Sequence, residues 1–377
     1  MFIVRPVSEE QQVMNMSSQL ERSEMKVVRA LEERHWKEFV DQHPQGNIFH
    51  TPEMYRVFEC ARHHHPELWA VVDSNARPQA LITPVRVRLP NRFIGRFTTR
   101  AISYGSVLGE TAAKGETALR RLLLDYKRAI GRQVLFVELR HLYDVRTLEQ
   151  VFAGCGFVFE EHLDYLIDLN QTPEQLLQSI GPRTRKKIRQ GLRKAEVSVG
   201  QVTERKDIAR CYRLIQQSYV AAGVPLAHPS LFDAAFDILY PRGMCKFWIA
   251  SVNGMDAAAS VELTYKDVIY GWYGGVDRQF AHYLPGELLM WHILNWGIEN
   301  GYRIYDFGGA GRPGEKYGVR DFKAKFGGQL VAYGRHRLVP VPLRLKLVET
   351  GYELYRMVSK FRQQFGTPIQ VSKESVS

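Results

Sequence analysis

The stretch that decides the fold runs Gly271-Trp272-Tyr273-Gly274-Gly275-Val276-Asp277, then an apolar run from Pro285 to Asn300, then Gly301-Tyr302-Arg303-Ile304-Tyr305-Asp306-Phe307-Gly308. It closes on Asp321-Phe322-Lys323-Ala324-Lys325-Phe326-Gly327-Gly328. Pro285 suits a first helical turn, where its missing N–H costs nothing. Leu288, Leu289, Trp291, Leu294, Trp296 and Ile298 place apolar side chains nearly all round, so the spacing predicts a helix buried on most sides. Asn300-Gly301 is a stop, because glycine tolerates the left-handed conformation at a helix end. Tyr302 to Phe307 then alternates like a strand. A strand, a buried helix, a second strand and a glycine loop carrying Arg312, Lys316 and Arg320 make a site for an acyl group or a phosphate.

Working outward, the same order of elements occurs twice, which is the strongest statement the sequence makes about architecture. Leu68 to Val72, a turn at Asp73-Ser74-Asn75, and Gln79 to Ile82 read as a β-hairpin. Phe247 to Val252, a turn at Asn253-Gly254, and Ala257 to Leu263 read as another. Each is followed by further strand and a helix. The first helix ends near Gly131 and passes into Val134 to Leu139; the second ends at Gly301 and passes into Tyr302 to Phe307. The expected fold class is α/β with mixed sheets, in two tandem domains with a cleft between them. The expected division is a loose tail over 1–24, a first domain over 25–165, a second over 166–335, and an appended strand and basic amphipathic helix over 336–377.

The chain has 377 residues, 45% apolar, with 51 Lys and Arg against 40 Asp and Glu. That is enough for cores of ordinary size, and the excess of positive charge favours an anionic partner. The four cysteines, Cys60, Cys155, Cys211 and Cys245, stand far apart, which fits neither a disulfide framework nor a zinc site. There is no run of about 18 apolar residues and no signal-like start, so the expectation is a cytoplasmic protein. His63, His64 and His65 are consecutive; on a helix they point about 100° apart and do not converge on one metal. No metal and no cofactor are expected.

The charge is concentrated. Gly181 to Ala195 carries Arg183, Arg185, Lys186, Lys187, Arg189, Arg193 and Lys194 with no acid. At helical spacing Arg185, Arg189 and Arg193 stack along one edge, and like charges so close need an anion. The ordinary outcome for a charge run is a solvated face; seven cations without a counter-charge argue for phosphate contact. Leu343 to Phe365 reads as a basic amphipathic helix, docked on the protein's own surface or lying on an anionic membrane face.

Together, Trp272-Tyr273-Gly274-Gly275, the helix ending Glu299-Asn300-Gly301-Tyr302, the strand Tyr305-Asp306-Phe307-Gly308 and the close Phe322-Lys323-Ala324-Lys325-Phe326-Gly327-Gly328 resemble the FemA/FemB family. These are non-ribosomal aminoacyltransferases built on the GNAT acyltransferase fold. The resemblance extends over Ile180 to Gly328 and is weaker before that. It implies aminoacyl transfer from aminoacyl-tRNA to an amine of an anionic cell-envelope, peptidoglycan precursor. It also places Arg183, Arg185 and Lys186 near the substrate's diphosphate and the tRNA acceptor end, and Arg189 lies on the same helix. The family's early lysine is not matched; Tyr55-Arg56-Val57-Phe58 stands in its place. That departure bears on recognition of a nucleotide-linked acceptor.

Acyl transfer to an amine needs positioning and a stabilised oxyanion, not a protein nucleophile. The chain has no phosphate-loop motif, no His-Glu-x-x-His and no Gly-x-Ser-x-Gly. Lys323 is the expected oxyanion or donor-phosphate contact. Its segment reads as a strand, and Lys325, two residues on, is ranked below it as a substrate contact. Asp306 is the expected acceptor of the amine's proton, and Tyr104 and Tyr273 are expected to line the cleft. A CoA-using GNAT protein cradles pyrophosphate in a glycine turn before a helix. Here Phe280 to Tyr283 replace the glycines and Pro285 removes an N–H, which favours another donor. An acyl-CoA-dependent N-acyltransferase of an envelope sugar or small amine, and a non-catalytic RNA-binding protein, are the alternatives.

Overall fold

The computed structural model describes residues 25–88, 98–109, 113–348 and 350. The tail expected over 1–24, and the amphipathic helix beyond residue 350, lie outside the described residues. Each half is built on the same plan, as the repeated pattern predicted. In the second, the hairpin Cys245–Val252 and Met255–Tyr265 leads to Val268–Val276, the helix Pro285–Glu299 and the strand Ile304–Gly309, which pairs parallel to Val268–Val276. In the first, the hairpin Trp69–Val72 and Pro78–Ile82 precedes Arg100–Ser103, the helix Ala113–Ile130 and Val137–Arg140, again a parallel pair.

Local chemistry accounts for the elements. Asn253 and Gly254 both have positive φ, 50° and 79°, the backbone of a two-residue hairpin turn that matches strand twist. Thr51 caps the helix Pro52–Cys60, its hydroxyl accepting from the Met54 N–H at 3.2 Å. The helix Pro285–Glu299 buries Leu288, Leu289, Trp291, Ile293 and Leu294 against the larger sheet. It can lie that close because Gly297 faces Ile269 and Leu169, where a Cβ would approach both to 2.8 Å.

The halves differ in their sheets. The second is one seven-stranded sheet, with spatial order 197–201, 245–252, 255–265, 268–276, 304–309, 164–168 and 329–331. The first is split into a four-stranded and a six-stranded sheet. The chain passes between them at Thr83-Pro84, between Pro78–Ile82 and Val85–Val87. Proline cannot donate to a ladder, so the strand breaks there; the Pro84 carbonyl accepts from Glu67 and the Thr83 hydroxyl donates to the Phe49 carbonyl.

The strand Arg335–Leu338 corrects the reading of 336–377 as an appendage. It crosses back to lie between Val137–Arg140 and Val158–Glu160, antiparallel to both, in the six-stranded sheet of the first half. Gly334, at φ 71°, makes the turn, and a Cβ there would meet the Phe159 ring at 2.3 Å. Leu338 joins the first half's core. A buried polar chain fixes the register. The half-exposed Glu149 carboxylate accepts from His336 Nε2 (2.9 Å), so His336 Nδ1 accepts from His141 Nε2 (2.8 Å). His141 Nδ1 then accepts from the Ser106 hydroxyl (2.6 Å). The boundary strand Asp164–Asp168 likewise belongs wholly to the second half's sheet. Among the described residues no helix is long and apolar enough to cross a membrane.

Candidate active site

The parallel strands Val268–Val276 and Ile304–Gly309 pair only from Val268/Ile304 to Tyr270/Asp306. Beyond that they diverge and open a wedge between Gly271–Val276 and Phe307–Gly309. The opposite edge of Val268–Val276 stays paired to Met255–Tyr265 but skips a residue, Tyr273 facing Val261 and Gly271 facing Glu262. The extra residue, Trp272, is a bulge that re-aims the backbone at the mouth of the wedge. Glycine is required on its wall: a Cβ at Gly275 would meet the Leu214 carbonyl oxygen at 2.4 Å and Ile215 Cα at 2.5 Å.

Lys323 sits behind the other wall. Its segment is a helix, Gly318–Ala324, and not the strand the alternation suggested; Tyr317 and Arg320 anchor its start, with Arg320 donating to the carbonyls of Ala310, Arg312 and Glu315. Lys323 Nζ is buried and donates to the carbonyls of Phe307 (2.6 Å), Gly308 (2.7 Å) and Gly309 (2.9 Å). All three ammonium protons are committed to the strand end. Lys325 is turned well away, as residues two apart on a helix are, and pairs with Glu287 at 3.0 Å.

Asp306 is buried beside Lys323 and accepts from the Gly308 N–H at 2.7 Å. It hydrogen-bonds Asp164, on the adjacent strand. Burial raises both carboxyls; the charge of Asp164 raises Asp306 further, and the Lys323 ammonium holds both down. Burial lowers the Lys323 ammonium and the two carboxylates oppose it.

The first half faces this cluster with arginine. Glu138 Oε1 accepts from Arg140 Nε (2.6 Å) and from Arg335 Nη1 (3.2 Å), and Arg337 stands 3.8 Å from Oε2. Burial pushes Glu138 up, and the three guanidiniums more than reverse it, to about 2. Arg335 is lowered to about 10, by burial and then by the neighbouring charge of Arg140. His162 falls to about 4 through burial and Arg335. Arg140 Cζ lies 5.1 Å from the centre of the Tyr104 ring, which is stacked on Phe58 (5.4 Å). Tyr273 packs on Phe232 at 4.8 Å and on Tyr219 at 5.9 Å, half-buried at the wedge.

The structure therefore brings Lys323, Asp306, Tyr104 and Tyr273 to the junction of the halves, and places the rest of the expected site elsewhere. Arg312, on the glycine loop, pairs with Glu160 at 3.0 Å, and Lys316 is exposed on the same loop. Arg183, Arg185, Lys186 and Arg189 lie on the helix Pro182–Lys194. Arg185, Lys186, Arg189 and Arg193 line an open groove of about 590 Å³ with Pro182 and Leu192. Only Lys194 of this run has an acidic partner among the described residues, Glu196. Ile188 is its buried anchor, and Gly191 lets Leu288 of the buried helix approach to within 2.8 Å of where a Cβ would be. Asp164, Arg140, Arg335 and His162 escaped the sequence reading. The alternation Arg335-His336-Arg337 was the available signal, since it puts two cations on one face of a strand.

Residues 182–324 match the family model of the acetyltransferase (GNAT) domain. No curated protein matches the chain. Among solved structures, the chain is similar to FemX, with a TM-score of 0.65, 15% identity, and coverage of 83% of this chain and 97% of that one. It is similar to L-PGS from Bacillus licheniformis (TM-score 0.54, 13% identity, 85% and 96% covered). It is also similar to a tandem GNAT protein from the clavulanic acid biosynthesis pathway (TM-score 0.50, 11% identity, 85% and 99% covered). At these identities the likeness is one of fold. The wedge, the bulge beside it and the matched domain agree: residues 182–324 form a domain of the GNAT acetyltransferase type, and the chain as a whole has the fold of two GNAT-like domains, arranged as in FemX.

Proposed function

We propose that the protein is a FemAB-like N-acyltransferase that moves an aminoacyl group from aminoacyl-tRNA to an amine of an anionic cell-envelope precursor. The observation that carries this reading is the basic groove of Pro182–Lys194, whose lining cations Arg185, Lys186, Arg189 and Arg193 have no acidic partner among the described residues, on the same domain as the wedge. Such a groove suits phosphate, which it positions without reading sequence. The donor reading is supported by the segment before the buried helix. Arg278–Tyr283 is a tight 3-10 turn, Leu284 takes φ 61°, and Pro285 opens the helix, so the backbone there offers one N–H fewer to a pyrophosphate.

In this reading the acyl ester lies in the wedge and the acceptor amine approaches from the first half. The amine gives a proton to the Asp164–Asp306 pair, the C–N bond forms as the carbonyl oxygen takes the charge, and the ester C–O bond then breaks. The departing ribose oxygen recovers the proton. Lys323 holds the Phe307–Gly309 wall; exchanging its longest hydrogen bond, to Gly309, for the acyl oxygen makes it the oxyanion donor. Tyr104 and Tyr273 bound the acceptor's path.

The test is transfer of radiolabel by the purified protein from aminoacyl-tRNAs, and separately from acyl-CoAs, to extracted envelope precursors. Label moving from aminoacyl-tRNA supports the reading. Transfer from acyl-CoA alone would establish the acyl-CoA-dependent alternative, and equal binding of charged and uncharged tRNA without transfer would leave an RNA-binding protein.

A further inference from the structure

Arg140 and Arg335 come from strands that are far apart in sequence, and they meet on one oxygen atom of Glu138. Among the described residues Arg140 donates only through Nε and Arg335 only through Nη1, so both guanidiniums keep an unused edge. Those edges are not sealed in: Arg140 keeps 34% of its side chain accessible and Arg335 23%. The neighbouring Gly309 is exposed, and a Cβ on it would lie 3.5 Å from Arg335 Nη2 and 3.3 Å from the His162 ring. A larger residue at 309 would close the approach to Arg335. Two half-sunk guanidiniums around one carboxylate are an arrangement short of an anion.

The junction carries an excess of positive charge. Arg140, Arg335 and Lys323 bring three positive charges to the junction. Glu138 is the carboxylate the two arginines share, and Lys323 lies against Asp164 and Asp306. His162 is neutral at pH 7, and Arg337 shares Glu160 with Arg312, at 3.3 and 3.0 Å. Two guanidiniums on one carboxylate leave positive charge unmatched at the junction, which a bound anion cancels. Guanidinium edges also fit a carboxylate with two parallel hydrogen bonds.

We propose that Arg140 and Arg335 form a carboxylate subsite that orients the acyl acceptor, so that the substrate is an amine whose own molecule carries a free carboxylate. This rests on the N-acyltransferase reading above for its role, but not for its detection. The carboxylate docks between the two guanidiniums, with Arg140 held over the Tyr104 ring, and Gly309 leaves the path from there to the wedge open. Phosphate is handled separately, by the exposed groove of Pro182–Lys194.

The test is NMR titration of the intact protein with Nα-acetyl-L-lysine and with Nα-acetyl-L-lysinamide, which share an amine and differ in the carboxylate. The acid should bind about tenfold more tightly than the amide. Arg140→Gln and Arg335→Gln should bring the ratio to about one, Arg335→Lys should keep part of it, and acetate should compete at least as well as inorganic phosphate. Equal binding of acid and amide, no binding of either, a ratio unchanged in both Gln variants, or phosphate as the better competitor would each overturn the proposal. If the arginine variants fail to fold, Glu138→Gln decides: removing the competing carboxylate should tighten the acid, and an unchanged affinity refutes the subsite. No acyl donor is used, so absence of transfer activity leaves this result standing. Conversely, efficient transfer to carboxylate-free amines would sink the subsite and spare the acyltransferase.

Discussion

Replacing Lys323 with methionine keeps the length and volume of the side chain and removes its charge and donors. The ammonium is 7% exposed and holds three backbone carbonyls within 2.6–2.9 Å, beside the carboxyls of Asp164 and Asp306. Deleting one partner of a buried ion pair costs about 3–5 kcal/mol, and each carbonyl left dry adds to it. The cost is capped because the orphaned carboxylate can take up a proton. We therefore expect Lys323→Met to lose about 3–4 kcal/mol at pH 7. The carboxyl pair in the variant has a folded-state affinity for protons above its unfolded value, so its penalty is relieved as pH falls. The gap to wild type should narrow from pH 7 to pH 5. Adding Asp164→Asn, which removes the stranded charge, should recover about 1–2 kcal/mol of the loss. Urea unfolding followed by tryptophan fluorescence reads this directly, because Trp248 and Trp291 lie in the same core. A loss below about 1 kcal/mol, or no recovery in the double variant, would show that the ammonium does not pin the Phe307–Gly309 wall.

Three further expectations follow from separate parts of the molecule. Replacing Arg185, Lys186 and Arg189 together with Gln should leave stability within about 1 kcal/mol, yet weaken tRNA binding and flatten its logarithmic salt dependence by roughly 2; an unchanged slope would remove the groove from phosphate contact. Burial, with His336 and Arg335 adding to it, lowers His141 to about 3, so the neutral ring contributes stability that is full above the unfolded value near 6.5 and lost as pH falls below it. His141→Asn should abolish about 2 kcal/mol of the wild-type difference between pH 7 and pH 5, measured by urea unfolding, and an unaltered pH dependence would contradict the Ser106–His141–His336–Glu149 chain. Gly275→Ala drives a methyl into the backbone at Leu214 and Ile215, and should cost about 1–3 kcal/mol by the same assay; a neutral outcome would mean that the wedge wall can yield.

Much of the fold was legible because it rests on local rules. The turn at Asn253-Gly254, the capped start at Thr51-Pro52 and the all-round apolar helix from Pro285 each carry their conformation in a few neighbouring residues. Lys323 lies at the junction, but on a helix and not on the strand expected of its segment. A seven-residue helix of mixed pattern, Gly318-Val319-Arg320-Asp321-Phe322-Lys323-Ala324, has too little period to be told from a strand. The three carbonyls it holds belong to a strand 14 to 16 residues earlier, and no spacing rule joins them.

The sequence alone determined the duplicated order of hairpin, helix and strand, and the unbalanced charge of Gly181 to Ala195, because propensity, periodicity and charge are properties of adjacent residues. Only the tertiary structure decided that Arg335–Leu338 crosses into the first half, and hence that Arg140 meets Arg335 on Glu138. An edge strand takes the partner whose packing and hydrogen bonds complete it, and that choice depends on three-dimensional proximity between segments 195 or more residues apart, as the His141–His336 contact does.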